Sequence, residues 1–184
     1  MEKGLTVRKI VIAGVLGAIA ILLGVTRLGY IPVPTAAGNA TIMHIPAVIG
    51  GIMEGWGVGM IIGLIFGVSS FLNATVPLFK DPLVAILPRL FIGVTAYFTY
   101  VGLKRTNEYL AIGLAGFVGA LTNTILVLGM AVIRGYMAFG VALTTAVFNG
   151  LPEAIVSVIV TLAVVTAWKK LGSGKQKSKV SGGL

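Results

Sequence analysis

The stretch Thr41–Leu72, TIMHIPAVIGGIMEGWGVGMIIGLIFGVSSFL, constrains the fold of this chain more than any other. Two apolar segments, Ile45–Met53 and Val58–Val68, meet at the short break Glu54-Gly55-Trp56-Gly57. Gly59, Gly63 and Gly67 recur at i, i+4 and i+8, so on a helix they form one smooth stripe. In water a glycine costs about 1 kcal/mol against alanine inside a helix. In a bilayer it lets two backbones approach closely, and that packing replaces the hydrophobic drive that lipid cannot supply. The pattern predicts a tight membrane hairpin.

The remaining chain fits that solvent. Of its residues 57% are hydrophobic and 10% charged, against about 25% charged in a soluble domain. The fold class is therefore an all-α integral membrane protein, and the length allows one membrane domain, 1–170, followed by a basic segment, 171–184. With no cysteine, disulfides and thiolate metal sites are excluded. Lys3, Arg8 and Lys9 before an apolar run superficially fit a signal peptide. The further apolar segments make that run a retained first helix instead.

Six transmembrane helices are predicted. Helix 1 runs from Val7 to Leu28, and its pairs Ala13/Gly17, Gly14/Ala18 and Ala20/Gly24 make a contact face, within the fold or toward a partner subunit. Helix 2 lies between Ala36 and Glu54. Counted from His44 it is too short to span, since about 20 residues are needed, so either it starts earlier with Pro46 as a kink or it is partly re-entrant. Helix 3 covers Trp56–Leu72, helix 4 Leu83–Gly102 and helix 5 Tyr109–Val132. Helix 6 ends near Trp168 and is predicted to break at Asn149-Gly150-Leu151-Pro152-Glu153. The tail from Lys169 is rich in Gly, Ser and Lys and reads as disordered.

Charge placement orients the bundle. Ten of the fourteen Lys and Arg residues fall on the side of the termini, and three, Arg27, Lys80 and Arg134, fall opposite. The positive-inside rule then places both termini in the cytoplasm. The net charge of +9 thus reflects membrane orientation, and no nucleic-acid partner is expected.

The fourteenth cation, Arg89, lies within the membrane. Charge at that depth costs at least about 2.5 kcal/mol by insertion scales, and such residues face a cavity or a partner. Arg89 is about seven residues below the outer start of helix 4, roughly 10 Å deep at 1.5 Å per residue. Asn123 lies at similar depth on helix 5, Asn149 and Glu153 near the outer part of helix 6, and His44 in the outer half of helix 2. All five fall in the outer half of the bilayer, which describes a pocket open outward above an apolar floor. Each has a plainer alternative. Arg89 and Glu153 can neutralise one another, Asn123 and Asn149 can bond helices together at about 0.6 kcal/mol each, and His44 can be a buried structural residue. No HExxH motif, carboxylate pair or second histidine points to an enzyme or to a metal.

The motifs Thr41-Ile42-Met43-His44-Ile45-Pro46, Gly67-Val68-Ser69-Ser70, Leu87-Pro88-Arg89, Leu121-Thr122-Asn123-Thr124 and Asn149-Gly150-Leu151-Pro152-Glu153 occur in one order along nearly the whole chain. In that order the chain resembles the substrate-binding membrane subunit, or S component, of energy-coupling factor (ECF) vitamin transporters. The resemblance implies a six-helix bundle that binds a water-soluble vitamin from outside. A transmembrane coupling protein and two ATPase subunits would drive its release inside. It implies a partner face on helix 1 at Ala13, Gly17, Ala18 and Gly24, a gating loop Tyr30–Asn39, and a binding set of Asn39, His44, Arg89, Asn123, Asn149 and Glu153. No cofactor is expected. The subtype resembles pantothenate-type members, with riboflavin next. Arg89 favours the first, because a guanidinium binds a carboxylate bidentately. A self-sufficient channel or facilitator is the competing class.

Cysteines introduced at Ser173 and at Pro34 are expected to react with membrane-impermeant label from opposite faces of the membrane. Labelling of both from outside would end the arrangement with both termini inside.

Overall fold

The computed structural model describes residues 6–32 and 39–181, with side chains through residue 171. Its elements are α1 (Val7–Val25), β1 (Tyr30–Ile31), β2 (Ala40–Thr41), α2 (Ile45–Glu54) and α3 (Trp56–Leu72). A 3-10 turn at Pro77–Lys80 follows, then α4 (Pro82–Ala85), α5 (Leu87–Leu103), α6 (Glu108–Ile133) and α7 (Phe139–Ser181). Taking α4 and α5 as one interrupted helix gives the expected six. Four of them, Val7–Val25, Pro82–Leu103, Glu108–Ile133 and Phe139–Leu171, are long and apolar enough to cross a membrane. At 10 residues, α2 spans only about 15 Å.

That shortness has a local cause. The chain before α2 is extended, with β1 and β2 paired antiparallel so that Tyr30 faces Thr41. The His44 carbonyl accepts from the N–H groups of Ala47 and Val48, starting the helix there. Pro46 sits in the first turn, where its missing N–H costs nothing, and is not a kink. The helix therefore does not start earlier, although residues 33–38, including the expected start at Ala36 and most of the Tyr30–Asn39 loop, lie outside the described residues. At the other end Gly55 adopts φ 105°, a conformation open to glycine at little cost. The chain reverses there into α3, as the hairpin reading requires. Residues Ile45–Ile52 are all buried, and α2 touches α1, α3, α5, α6 and α7. It is the central post of the bundle.

The glycine stripe packs on an unexpected neighbour. A Cβ on Gly59 would lie 2.8 Å from Gly93 Cα, one on Gly63 2.1 Å from the Arg89 carbonyl oxygen, and one on Gly67 2.9 Å from Ile86 Cα. The stripe thus holds α3 against the backbone of α4 and α5. Within the hairpin itself, only Gly51 and Gly59 meet backbone to backbone. Polar contacts tie the other helices: Thr95 Oγ1 and Thr122 Oγ1 are 2.9 Å apart between α5 and α6, and Ser157 Oγ donates to the Gly116 carbonyl at 2.8 Å between α7 and α6.

Two sequence expectations are corrected. First, α7 is not broken at 149–153. It runs continuously through Pro152, because a proline removes one rung of the ladder and neighbouring helices tolerate the gap in a membrane-type bundle. The interruption falls instead at Ile86, between α4 and α5. The helical backbone of α7 also continues past Lys170 to Ser181, where composition reads as disordered. Second, the helix 1 face divides. Ala13 and Gly17 are buried, and Cβ atoms on Gly17 and Gly24 would meet Ile65 and Met43 at 2.7 and 2.8 Å. Those three small residues pack inward. Ala18 is exposed, as is Gly14, which has open space around it.

Gly63→Ala is expected to lower the thermal midpoint by an amount equivalent to about 1–3 kcal/mol, the usual cost of overpacking, because the obstructing atom is backbone. Gly14→Ala is the control and should melt like the wild type. Equal midpoints for both variants would show that α3 and α5 are not in backbone contact.

Candidate functional site

At the strand-bearing end of the bundle, a cavity of about 40 Å³ is lined by Asn39, Thr41, Phe79, Arg89, Asn123, Thr124, Val127, Leu128, Thr145, Asn149 and Glu153. Each wall follows from helical spacing. Thr145, Asn149 and Glu153 lie at i, i+4 and i+8 on α7, and Asn123, Thr124, Val127 and Leu128 occupy one face of α6. A second chamber of about 80 Å³ shares Asn39, Thr41, Phe79 and Arg89 with the first. Those four residues border both spaces.

Arg89 is 3% exposed, yet among the described residues no carboxylate pairs with it directly. Its Nη1 donates to the Val84 carbonyl, while Nε is buried with no hydrogen-bond partner. The guanidinium carbon lies 5.4 Å from the centroid of Phe66 and 5.0 Å from that of Phe79, within cation–π range of both rings. Glu153 is held elsewhere. Its Oε1 accepts the Thr41 N–H at 2.6 Å and its Oε2 accepts the Thr124 hydroxyl at 3.0 Å. That carboxylate pins the strand β2 to α6 and α7. Arg89 and Glu153 therefore do not simply cancel as an ion pair; the cation keeps unspent donor capacity in the cavity. Asn123 Oδ1 is also buried there without a partner. The set offers a cationic fork, an amide and hydroxyls, which suits a small anion bearing polar groups.

Five of the six residues singled out in the sequence, Asn39, Arg89, Asn123, Asn149 and Glu153, meet at this cavity. His44 does not. It is fully buried at the start of α2, outside the lining. Thr145 and Thr124 were missed, although Thr145 lies four residues before Asn149 and helical spacing alone would have found it. Phe79 was missed because it lies in the segment read as a loop. Together with Phe66 it sets two aromatic rings beside Arg89.

Another carboxylate braces the segment next to Phe79. Asp81 accepts the Leu83 N–H at 2.9 Å, capping α4, and its Oδ2 accepts from Arg134 Nε at 2.6 Å and from the Tyr136 hydroxyl at 3.4 Å. This ties the segment carrying Phe79 to the α6–α7 connection. Among the described residues no group of three or more His, Cys, Asp or Glu is placed to hold a metal ion.

The family model described as "ECF transporter, substrate-specific component" matches residues 8–165. A pantothenic acid transporter, PanT, of Lactococcus lactis subsp. cremoris (strain MG1363) is 34% identical, over 71% of this chain and 78% of the relative. The solved structure of ThiT from Listeria monocytogenes superposes with a TM-score of 0.67 at 15% identity, covering 89% of this chain and 96% of that one. At that identity the likeness establishes the fold.

The Asp81 contact titrates. The hydrogen bond from Arg134, with those from Leu83 and Tyr136, holds the Asp81 carboxyl below its ordinary 3.8 against the opposing effect of burial. A depressed folded-state pKa adds stability that is fully present above the unfolded value and is lost as pH falls through the folded one. The thermal midpoint of the wild type should therefore drop more steeply than that of Asp81→Asn between pH 5 and pH 3. Parallel curves would show that this strap contributes nothing.

Proposed function

Because the chain belongs to the family of substrate-specific components of ECF transporters, we propose that it captures pantothenate and holds the vitamin's carboxylate on Arg89. Membership makes it a multi-pass membrane transporter component of the vitamin-uptake class and not an enzyme. The choice of vitamin rests on one observation. Arg89 is buried in the cavity, flanked by Phe66 and Phe79, with Nε lacking any protein partner. A buried, under-satisfied guanidinium is costly unless a ligand completes it. A carboxylate does so with two parallel hydrogen bonds. The similarity to PanT supports the same substrate, and the hydroxyl and amide groups of pantothenate match Asn39, Asn123, Thr145 and Asn149.

In this reading the strand-bearing end faces outside and both termini are cytoplasmic. The core below the cavity is an apolar cluster that includes Ile49, Ile62, Ile92, Ala96 and Ile112, which disfavours passage of a polar solute through the bundle. Release then requires partners, a transmembrane coupling protein and two ATPases. The outward face of α1, where Gly14 and Ala18 sit beside exposed Val11, Val15 and Leu22, is the surface we assign to the coupling protein. Ala13, Gly17 and Gly24 support that helix from within. His44 serves the fold, and Glu153 orders the cavity by fixing Thr41.

Mass spectrometry of small molecules released from the purified protein should identify pantothenate. Riboflavin, or any vitamin without a carboxylate, would overturn the assignment.

A further inference from the structure

Pro88 and Arg89 act on the same carbonyl. In an unbroken helix the N–H of residue 88 donates to the C=O of residue 84. Proline has no N–H, and Pro88 stands in the first turn of α5 just past the break at Ile86, so Val84, in the last turn of α4 and itself 0% exposed, keeps a carbonyl that neither helix satisfies. Water does not reach it, and an orphaned buried carbonyl is costly. Arg89 Nη1 supplies the missing hydrogen bond. The next residue thus replaces the donor that its neighbour withholds.

That substitution fixes how the guanidinium is presented. Its faces are covered by Phe66 and Phe79. With Nη1 committed to Val84, the edge left for a bidentate partner is that of Nε, which is buried and without a partner, and Nη2. We propose that Pro88 is a specificity-determining positioning residue: by leaving the Val84 carbonyl open it docks Nη1 and turns the Nε edge of Arg89 toward the substrate anion. This rests on the reading that Arg89 receives the vitamin's carboxylate. It adds that the helix interruption at Ile86 exists to aim that residue.

The test uses the purified full-length protein, with calorimetric titration of pantothenate and of the neutral alcohol that replaces its carboxylate. Pro88→Ala restores an N–H that competes for the Val84 carbonyl and frees Arg89. The expected result is a loss of about tenfold or more in affinity for the acid, the scale of one misaligned charge-assisted hydrogen bond, with affinity for the alcohol unchanged. Equal losses for both ligands, or no loss for either, would overturn the inference. A wild type that binds acid and alcohol alike would overturn the carboxylate reading itself, and this inference with it. A second arm is independent of binding. Arg89→Met leaves the Val84 carbonyl without a donor and should melt lower than wild type. Adding Pro88→Ala supplies one and should recover part of the loss. A double variant that melts no higher than Arg89→Met contradicts the shared-carbonyl account.

Discussion

The backbone contact between α3 and α5 is the constraint on which the rest depends. Gly59, Gly63 and Gly67 leave no side chain between the two helices, and Gly93 answers them from α5. In lipid, where apolar side chains gain nothing by leaving their solvent, close packing of this kind carries association. The contact also sets position. Gly63 lies against the carbonyl of Arg89 itself, so the stripe that joins the helices fixes where the cavity's cation enters. Above it Phe66 of α3 covers one side of the guanidinium. One run of small residues thus links the hairpin, the interrupted α4–α5 helix and the binding cavity.

Polar satisfaction is the second organising rule. Glu153, whose charge would be expensive if unpartnered, accepts from Thr41 and Thr124 and closes β2 over α6 and α7. Arg89 is satisfied only in part. That difference distinguishes a carboxylate that builds the cavity from a cation left available within it. Asp81 performs next to Phe79 what Glu153 performs inside, capping α4 while binding Arg134. The polar cavity sits at one end and apolar packing fills the bundle beneath it. The division fits a component that captures solute and depends on others to release it.

Much of this was legible in the sequence. The hairpin at Glu54–Gly57, the glycine stripe and the grouping of Arg89, Asn123, Asn149 and Glu153 in the outer half of the bundle follow from periodicity and from the cost of charge in lipid, whereas Asn39 entered only through the family resemblance. Other features were not. Glycine spacing shows that a face is smooth but not which helix lies on it, so α5 was hidden as the stripe's partner. The same ambiguity left the direction of helix 1 open, and Ala13, Gly17 and Gly24 proved to face inward while Ala18 faces out. The break was expected at Pro152 and none at Pro88, although only Pro88 lies beside an interruption. Tertiary packing carries α7 through the missing rung at Pro152. At Pro88 the freed carbonyl has Arg89 beside it. His44, open in the sequence between a buried structural residue and a binding one, is a buried member of the α2 start.

The central claim is that Arg89 reads the substrate's negative charge and is not merely the counter-ion of Glu153. Affinity for pantothenate, compared across the wild type, Arg89→Lys and the double variant Arg89→Met with Glu153→Gln, tests it most directly. Lysine keeps the charge and loses the fork, so the account expects it to bind more weakly. The double variant, neutral at both positions, should fold yet lose about 2–5 kcal/mol of binding, some thirtyfold to a few thousandfold. A double variant that binds pantothenate near the wild-type level would contradict the account.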